Sequence, residues 1–244
     1  MKILREKWDK KARHYNRYTD DHEVLEAHIC RHIQEAGVDF SDKNILDIGC
    51  GTGVYTLRFA QKARNVDAVD ISPAMLKILN EDARNIGLHT ITTYQSSWED
   101  FVLTHTYDIA IATMFPALKE HAHFQKMHDA APTKLFLGWG GKQGTELIEA
   151  LFREHGGIYR PPNSATILKQ WLDTHQIPHT LIAHTEEKVK KSLFAEAVEK
   201  YSWHLKVRGI VPQKEKISSV LQAYQDRKGI VVERTRNYLN LIIW

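Results

Sequence analysis

The stretch Asn44-Ile45-Leu46-Asp47-Ile48-Gly49-Cys50-Gly51-Thr52-Gly53-Val54 decides how this chain folds. An apolar run carries a carboxylate near its end, breaks at three alternating glycines and then enters a helical segment. Glycine tolerates positive φ and lacks the Cβ that would hold a ligand away from the main chain. The first turn of the following helix offers N–H groups without an intrahelical partner. A second apolar run, Val66-Asp67-Ala68-Val69-Asp70, also ends in a carboxylate. Adjacent strands ending this way hold a nucleoside ribose at the open carboxyl edge of an α/β sheet. The dinucleotide fingerprint G-x-G-x-x-G fails, because Val54 stands where its last glycine belongs, and no Gly-Lys-Ser/Thr follows to make a P-loop.

Outward from this centre, strands and helices alternate. Residues 22–36 carry Leu25, Ile29 and Ile33 on one helical face. Strands are predicted at 44–49, 66–70, 90–94, 107–113 and 134–138, with helices at 54–64, 72–86 and within 121–131. Ser72 and Pro73 form a strong helix start, and Gly87 a stop. This alternation predicts a parallel, doubly wound sheet. Beyond residue 140 the pattern becomes helical, at 145–155, after Pro161-Pro162-Asn163-Ser164, at 194–207 and at 214–228. Strands are read at 180–189 and 238–244. Trp139-Gly140-Gly141-Lys142 reads equally as a substrate loop or as an ordinary strand exit.

The chain has 244 residues, enough for one elaborated α/β domain. Thirty-three basic residues against 30 acidic ones give a net charge of +3, a weak footprint for nucleic acid. Cys30 and Cys50 form neither a disulfide framework nor a metal-type spacing, so no metal site is expected. No run approaches the ~18 apolar residues of a membrane span. A soluble protein in a reducing cytoplasm is the expectation.

The form Asp47-x-Gly49-Cys50-Gly51-Thr52-Gly53 resembles the first motif of the class I S-adenosylmethionine (SAM)-dependent methyltransferases of small-molecule type, and Asp70-Ile71-Ser72-Pro73-Ala74-Met75-Leu76 resembles their second. The resemblance implies a mostly parallel, seven-stranded Rossmann-like sheet with an antiparallel C-terminal edge pair. It also implies an N-terminal helical lid at 1–36 on a SAM-binding domain at 37–244, elaborated by helices at about 141–229. By the same resemblance, Gly49, Cys50, Gly51 and Gly53 pass under the methionine part of SAM and Asp47 faces its ammonium group. Asp70 takes both ribose hydroxyls, Ile71 and Met75 cover the adenine, and Tyr15 lies over the cofactor carboxylate. In many relatives an acidic residue follows the third strand. Here Ser97 stands in its place, beside Trp98.

After the fourth strand comes Thr113-Met114-Phe115-Pro116. Thr113 ends that strand at the cofactor edge. The run lacks the Asn/Asp-Pro-Pro-aromatic signature that grips a flat base, which favours a small-molecule acceptor over nucleic acid. His121 and His123 just beyond are candidate general bases. The leading expectation is methyl transfer from SAM to a small molecule. The alternatives are an RNA- or protein-modifying methyltransferase and a non-catalytic SAM binder.

Overall fold

The computed structural model describes residues 2–144, 146–206 and 208–244. Two compact units emerge: Met1–Gly138 with Ser164–Ile182 and Asn240–Trp244, and Trp139–Asn163 with Ala183–Leu239. The sheet has the order β3-β2-β1-β4-β5-β7-β6. Its strands are β1 (Asn44–Ile48), β2 (Asn65–Asp70), β3 (Ile91–Gln95), β4 (Ile109–Thr113), β5 (Thr133–Gly144), β6 (Thr180–Ser192) and β7 (Val231–Ile243). Strands β1 to β5 pair in parallel. Reciprocal bonds between Lys134 and Trp244, at 2.8 and 3.1 Å, mark β7 as antiparallel to β5. The expected mostly parallel sheet with an antiparallel C-terminal edge is therefore present.

In the first unit, β1 and β4 lie in the centre and are buried almost throughout, as apolar parallel strands must be. Helices α1 (Lys2–Ala12), α2 (Leu25–Glu35), α3 (Thr56–Ala60), α4 (Pro73–Asn85), α5 (His121–Ala130) and α7 (Ser164–Thr174) complete it. Phe124, Met127, Leu168 and Trp171 pack with Phe136 and Ile242 in one core cluster. Ser72 caps α4 as expected, its Oγ accepting from Met75 N at 3.2 Å.

The second unit holds α6 (Glu146–Glu154), α8 (Phe194–Lys206) and α9 (Lys214–Gln222). Leu147, Leu151, Tyr201, Leu205, Ile217 and Leu221 form its own core. Glu233 on β7 is buried there and paired with Lys200 of α8.

Four element boundaries differ from the sequence reading. The helix expected at 54–64 is only Thr56–Ala60. Trp139–Gly144 continues β5 rather than leaving it as a loop; Thr145, read as the start of the next helix, lies outside the described residues. Helix α9 ends at Gln222, and Asp226 then accepts from Lys228 N and Ile230 N, at 2.9 and 3.0 Å, to turn the chain back. Strand β7 therefore starts at Val231, seven residues before the predicted Tyr238. Its first half alternates inward and outward, but one inward position is the charged Glu233, which hides the apolar period of two.

Candidate active site

The loop after β1 is fixed from below. Gly49 N and Cys50 N both donate to Val69 O, at 2.8 and 3.1 Å, so β2 holds the turn. Gly49, Gly51 and Gly53 all have positive φ, at 71°, 57° and 81°. Their bare faces meet different things. A Cβ on Gly49 would lie 2.3 Å from Phe115 Cδ2, and one on Gly53 would lie 2.1 Å from Leu79 Cδ1. A Cβ on Gly51 would meet only Tyr15 Cε1, at 3.9 Å. Of the three, Gly51 alone keeps an open face. Gly49 and Gly53 admit protein side chains instead.

Asp47 lies beside this loop and is 1% exposed. Its Oδ2 accepts from Thr56 Oγ1 at 2.6 Å, while Oδ1 has no partner among the described residues. Burial pushes its carboxyl up to about 7; the Thr56 bond works against that and the charge of Asp70 adds to it. Asp70 spans the loop and the next helix. Its Oδ2 accepts from Gly51 N at 3.0 Å and its Oδ1 from Ser72 N at 2.8 Å. Burial raises this carboxyl too; the Ser72 and Gly51 amides oppose the rise and the charge of Asp9 adds to it. A carboxylate has about four acceptor sites, so room remains on Asp70 for hydroxyl donors.

Residues near the N-terminus complete this side. Asp9 of α1 accepts from Ser72 Oγ at 2.6 Å, Arg17 pairs with Asp82 of α4, and Thr52 Oγ1 donates to Asn16 O at 2.5 Å. Tyr15 thereby comes to Gly51, edge-on to Trp8 at 6.3 Å between ring centroids. Burial, then the charge of Asp70, raises its phenol. The charge of Asp70 thus bears on Asp47 and that of Asp9 on Asp70, and among the described residues no cation is among the charges that shift either carboxyl. Carboxyls whose ionisation burial opposes fit a ligand that brings its own cation, which would favour their charged form.

The remaining candidates fall as follows. Cys50 is buried, which pushes its thiol well up, so it is an inert wall. Ile71 is half-buried and Met75 is 1% exposed within α4. Ser97 Oγ donates to Asp100 Oδ2 at 2.8 Å and accepts from Asp100 N at 3.1 Å, so its hydroxyl is engaged locally. Trp98 is buried, donating Nε1–H to His123 O at 3.2 Å, with Lys126 over its ring. Thr113 closes β4, half-buried. His123 Nδ1 bonds Ala117 O at 3.0 Å, which leaves Nε2 as its basic nitrogen; His121 is exposed in the first turn of α5.

Four contributors escaped the sequence reading. Thr56, Asp9 and Asn16 act through contacts across the fold that no local pattern announces. Phe115 was read only as part of a loop. Its signal is conformational: Met114 before it has φ of +52°, a left-handed backbone uncommon outside glycine.

Residues 45–131 match the family described as a methyltransferase domain. That stretch is similar to known methyltransferase domains. The chain is 33% identical over 75 residues to a ubiquinone biosynthesis O-methyltransferase of Actinobacillus pleuropneumoniae, over 31% of this chain and 32% of that protein. It is 28% identical over 127 residues to a putative protein N5-glutamine methyltransferase of Methanocaldococcus jannaschii, over 52% of this chain and 58% of that one. In neither does the match reach two thirds of the relative's own length. The fold is similar to that of magnesium protoporphyrin IX methyltransferase from Synechocystis, with a TM-score of 0.55 and 15% identity, covering 77% of this chain and 92% of that one. No described helix is long and apolar enough to cross a membrane.

Proposed function

We propose that the protein transfers a methyl group from SAM to a small-molecule acceptor by in-line displacement. The observation that carries the SAM reading is the buried Asp47 oxygen that has no donor among the described residues, beside a glycine with an open face and a carboxylate at the end of β2. In this reading Asp47 holds the ammonium of the methionine part, and Gly51 lets that part run close to the main chain. Asp70 takes the ribose hydroxyls and Tyr15 covers the loop. Ile71, Met75, Ser97 and Trp98 border the adenine, and Thr113 closes the edge. SAM supplies an already activated methyl on a sulfonium. The chain therefore has to bind, align and exclude water, and proximity carries most of the rate. His123, held by Ala117 through Nδ1, presents Nε2 as the base for an acceptor that is protonated at neutral pH. His121 is the second candidate.

The small-molecule reading is supported by the absence of a base-gripping motif after Thr113 and by the likeness to an O-methyltransferase of ubiquinone biosynthesis. One observation favours RNA instead. The second unit has 15 Lys and Arg against 10 Asp and Glu, while the rest of the chain has 18 against 20. All of the chain's positive excess falls in that unit, the sign of charge that phosphate binding draws on. The test is methyl-labelled SAM offered with a low-molecular-weight extract and with total RNA, at two salt concentrations. Label in the extract that is indifferent to salt is expected. Label only in RNA, lost at the higher salt, would overturn the small-molecule reading.

A further inference from the structure

We propose that Phe115 is the ring by which this site discriminates a positively charged ligand from its neutral counterpart, so that SAM binds in preference to its demethylated product. The inference rests on the SAM reading above and adds a residue to it. The chain spends backbone strain to place this ring. Immediately after β4, Met114 takes a φ of +52°, and its N–H donates to Leu137 O at 2.7 Å, which locks the turn. The turn lays Phe115 directly on the α-carbon of Gly49. Three of its ring carbons would lie 2.3 to 2.8 Å from any Cβ there, so glycine at 49 is what admits the ring. Strained non-glycine residues persist where the surrounding structure over-determines them, and they gather at functional sites.

Tyr15 approaches the same loop at Gly51. The loop is thus bordered by two aromatic rings, Phe115 packing on its other side against the core, with the carboxylates of Asp47 and Asp70 beside it and, among the described residues, no cation among the charges that shift either. Aromatic faces carry negative potential and attract onium cations. Together with the carboxylates they form a surface that gains from a sulfonium and gains little from a thioether. Such a preference has a use in methyl transfer. The product of each turnover is the neutral thioether, and a site that favours the cation releases it.

The experiment compares calorimetric affinities for SAM and for S-adenosylhomocysteine in the wild type and in Phe115→Leu. The expected result is a SAM Kd raised about three- to thirtyfold, with the thioether's Kd changed less than about twofold. A second form replaces Phe115 with ring-fluorinated phenylalanine, which keeps shape and packing while weakening the ring's negative face. There the SAM Kd should rise in step with fluorination. Equal changes for both ligands, or no change for either, would overturn the role of Phe115 and leave the SAM reading standing. If wild-type protein binds neither ligand, the SAM reading itself falls, and this inference with it.

Discussion

Asp47→Asn separates the charge of the site from its shape. In the folded protein the Asp47 carboxyl titrates near 7 because burial opposes its charge, against an ordinary value of 3.8. At about pH 6 roughly nine in ten unliganded molecules therefore carry the proton. A ligand ammonium at Oδ1 needs the ionised form, so binding must release close to one proton per site. At about pH 8 nearly all molecules are already ionised, and the release falls to about a tenth. Affinity should accordingly weaken about tenfold for each pH unit below 7. The assay is isothermal calorimetry with SAM in buffers of different ionisation enthalpy, wild type against Asp47→Asn. The wild type should release ~0.9 proton more than the variant at about pH 6. Comparison with the variant cancels the titration of the ligand's own amino group. A difference near zero would refute the assignment of Asp47 as the ammonium's partner. The same carboxyl predicts a stability slope. Its folded pKa is raised, so folding takes up a proton between about 4 and about 7, and unliganded stability falls as pH rises through that window, then levels. The full gap from 3.8 to about 7 corresponds to ~4 kcal/mol, an upper bound on what the variant regains above pH 7, since a buried amide lacking a partner costs ~1–3 kcal/mol.

The other outcomes concern neighbouring residues. Asp70→Ala should weaken SAM binding by about 1–3 kcal/mol, because two hydroxyls and two backbone donors lose their acceptor; unchanged calorimetric affinity would remove it from the site. The glycines should divide by their surroundings: Gly51→Val loses ligand affinity, whereas Gly53→Ala, driven into Leu79, lowers the melting temperature. Hydrogen exchange in residues 2–20 should slow on adding SAM, and equal exchange with and without ligand would detach α1 and Tyr15 from the site. Asp9→Ala should speed exchange in α1 without ligand, since it removes the acceptor of Ser72 Oγ at the start of α4; identical protection would show that the bond does not hold the helix.

The sequence by itself determined the frame. Alternating apolar strands and capped helices dictated β1 to β4 and α4, because strand and helix periods are local properties that survive translation into structure. Strands ending in Asp47 and Asp70 can project those carboxylates only at the same sheet edge, so their proximity was also legible. The seven-stranded sheet with an antiparallel C-terminal edge was reached through the resemblance rather than through periodicity, and its order, 3-2-1-4-5-7-6, came only from the structure. What only the tertiary structure decided is who faces whom. Three glycines look equivalent in sequence, yet Phe115 covers one, Leu79 fills another and only Gly51 stays open, because the filling side chains come from distant segments. The length of β7 was hidden by Glu233, an inward charge made tolerable by Lys200 some thirty residues earlier. The charge state of Asp47 was equally out of reach, since it depends on burial, on the bond from Thr56 and on the charge of Asp70. Desolvation is a property of the assembled fold, and no residue carries it alone.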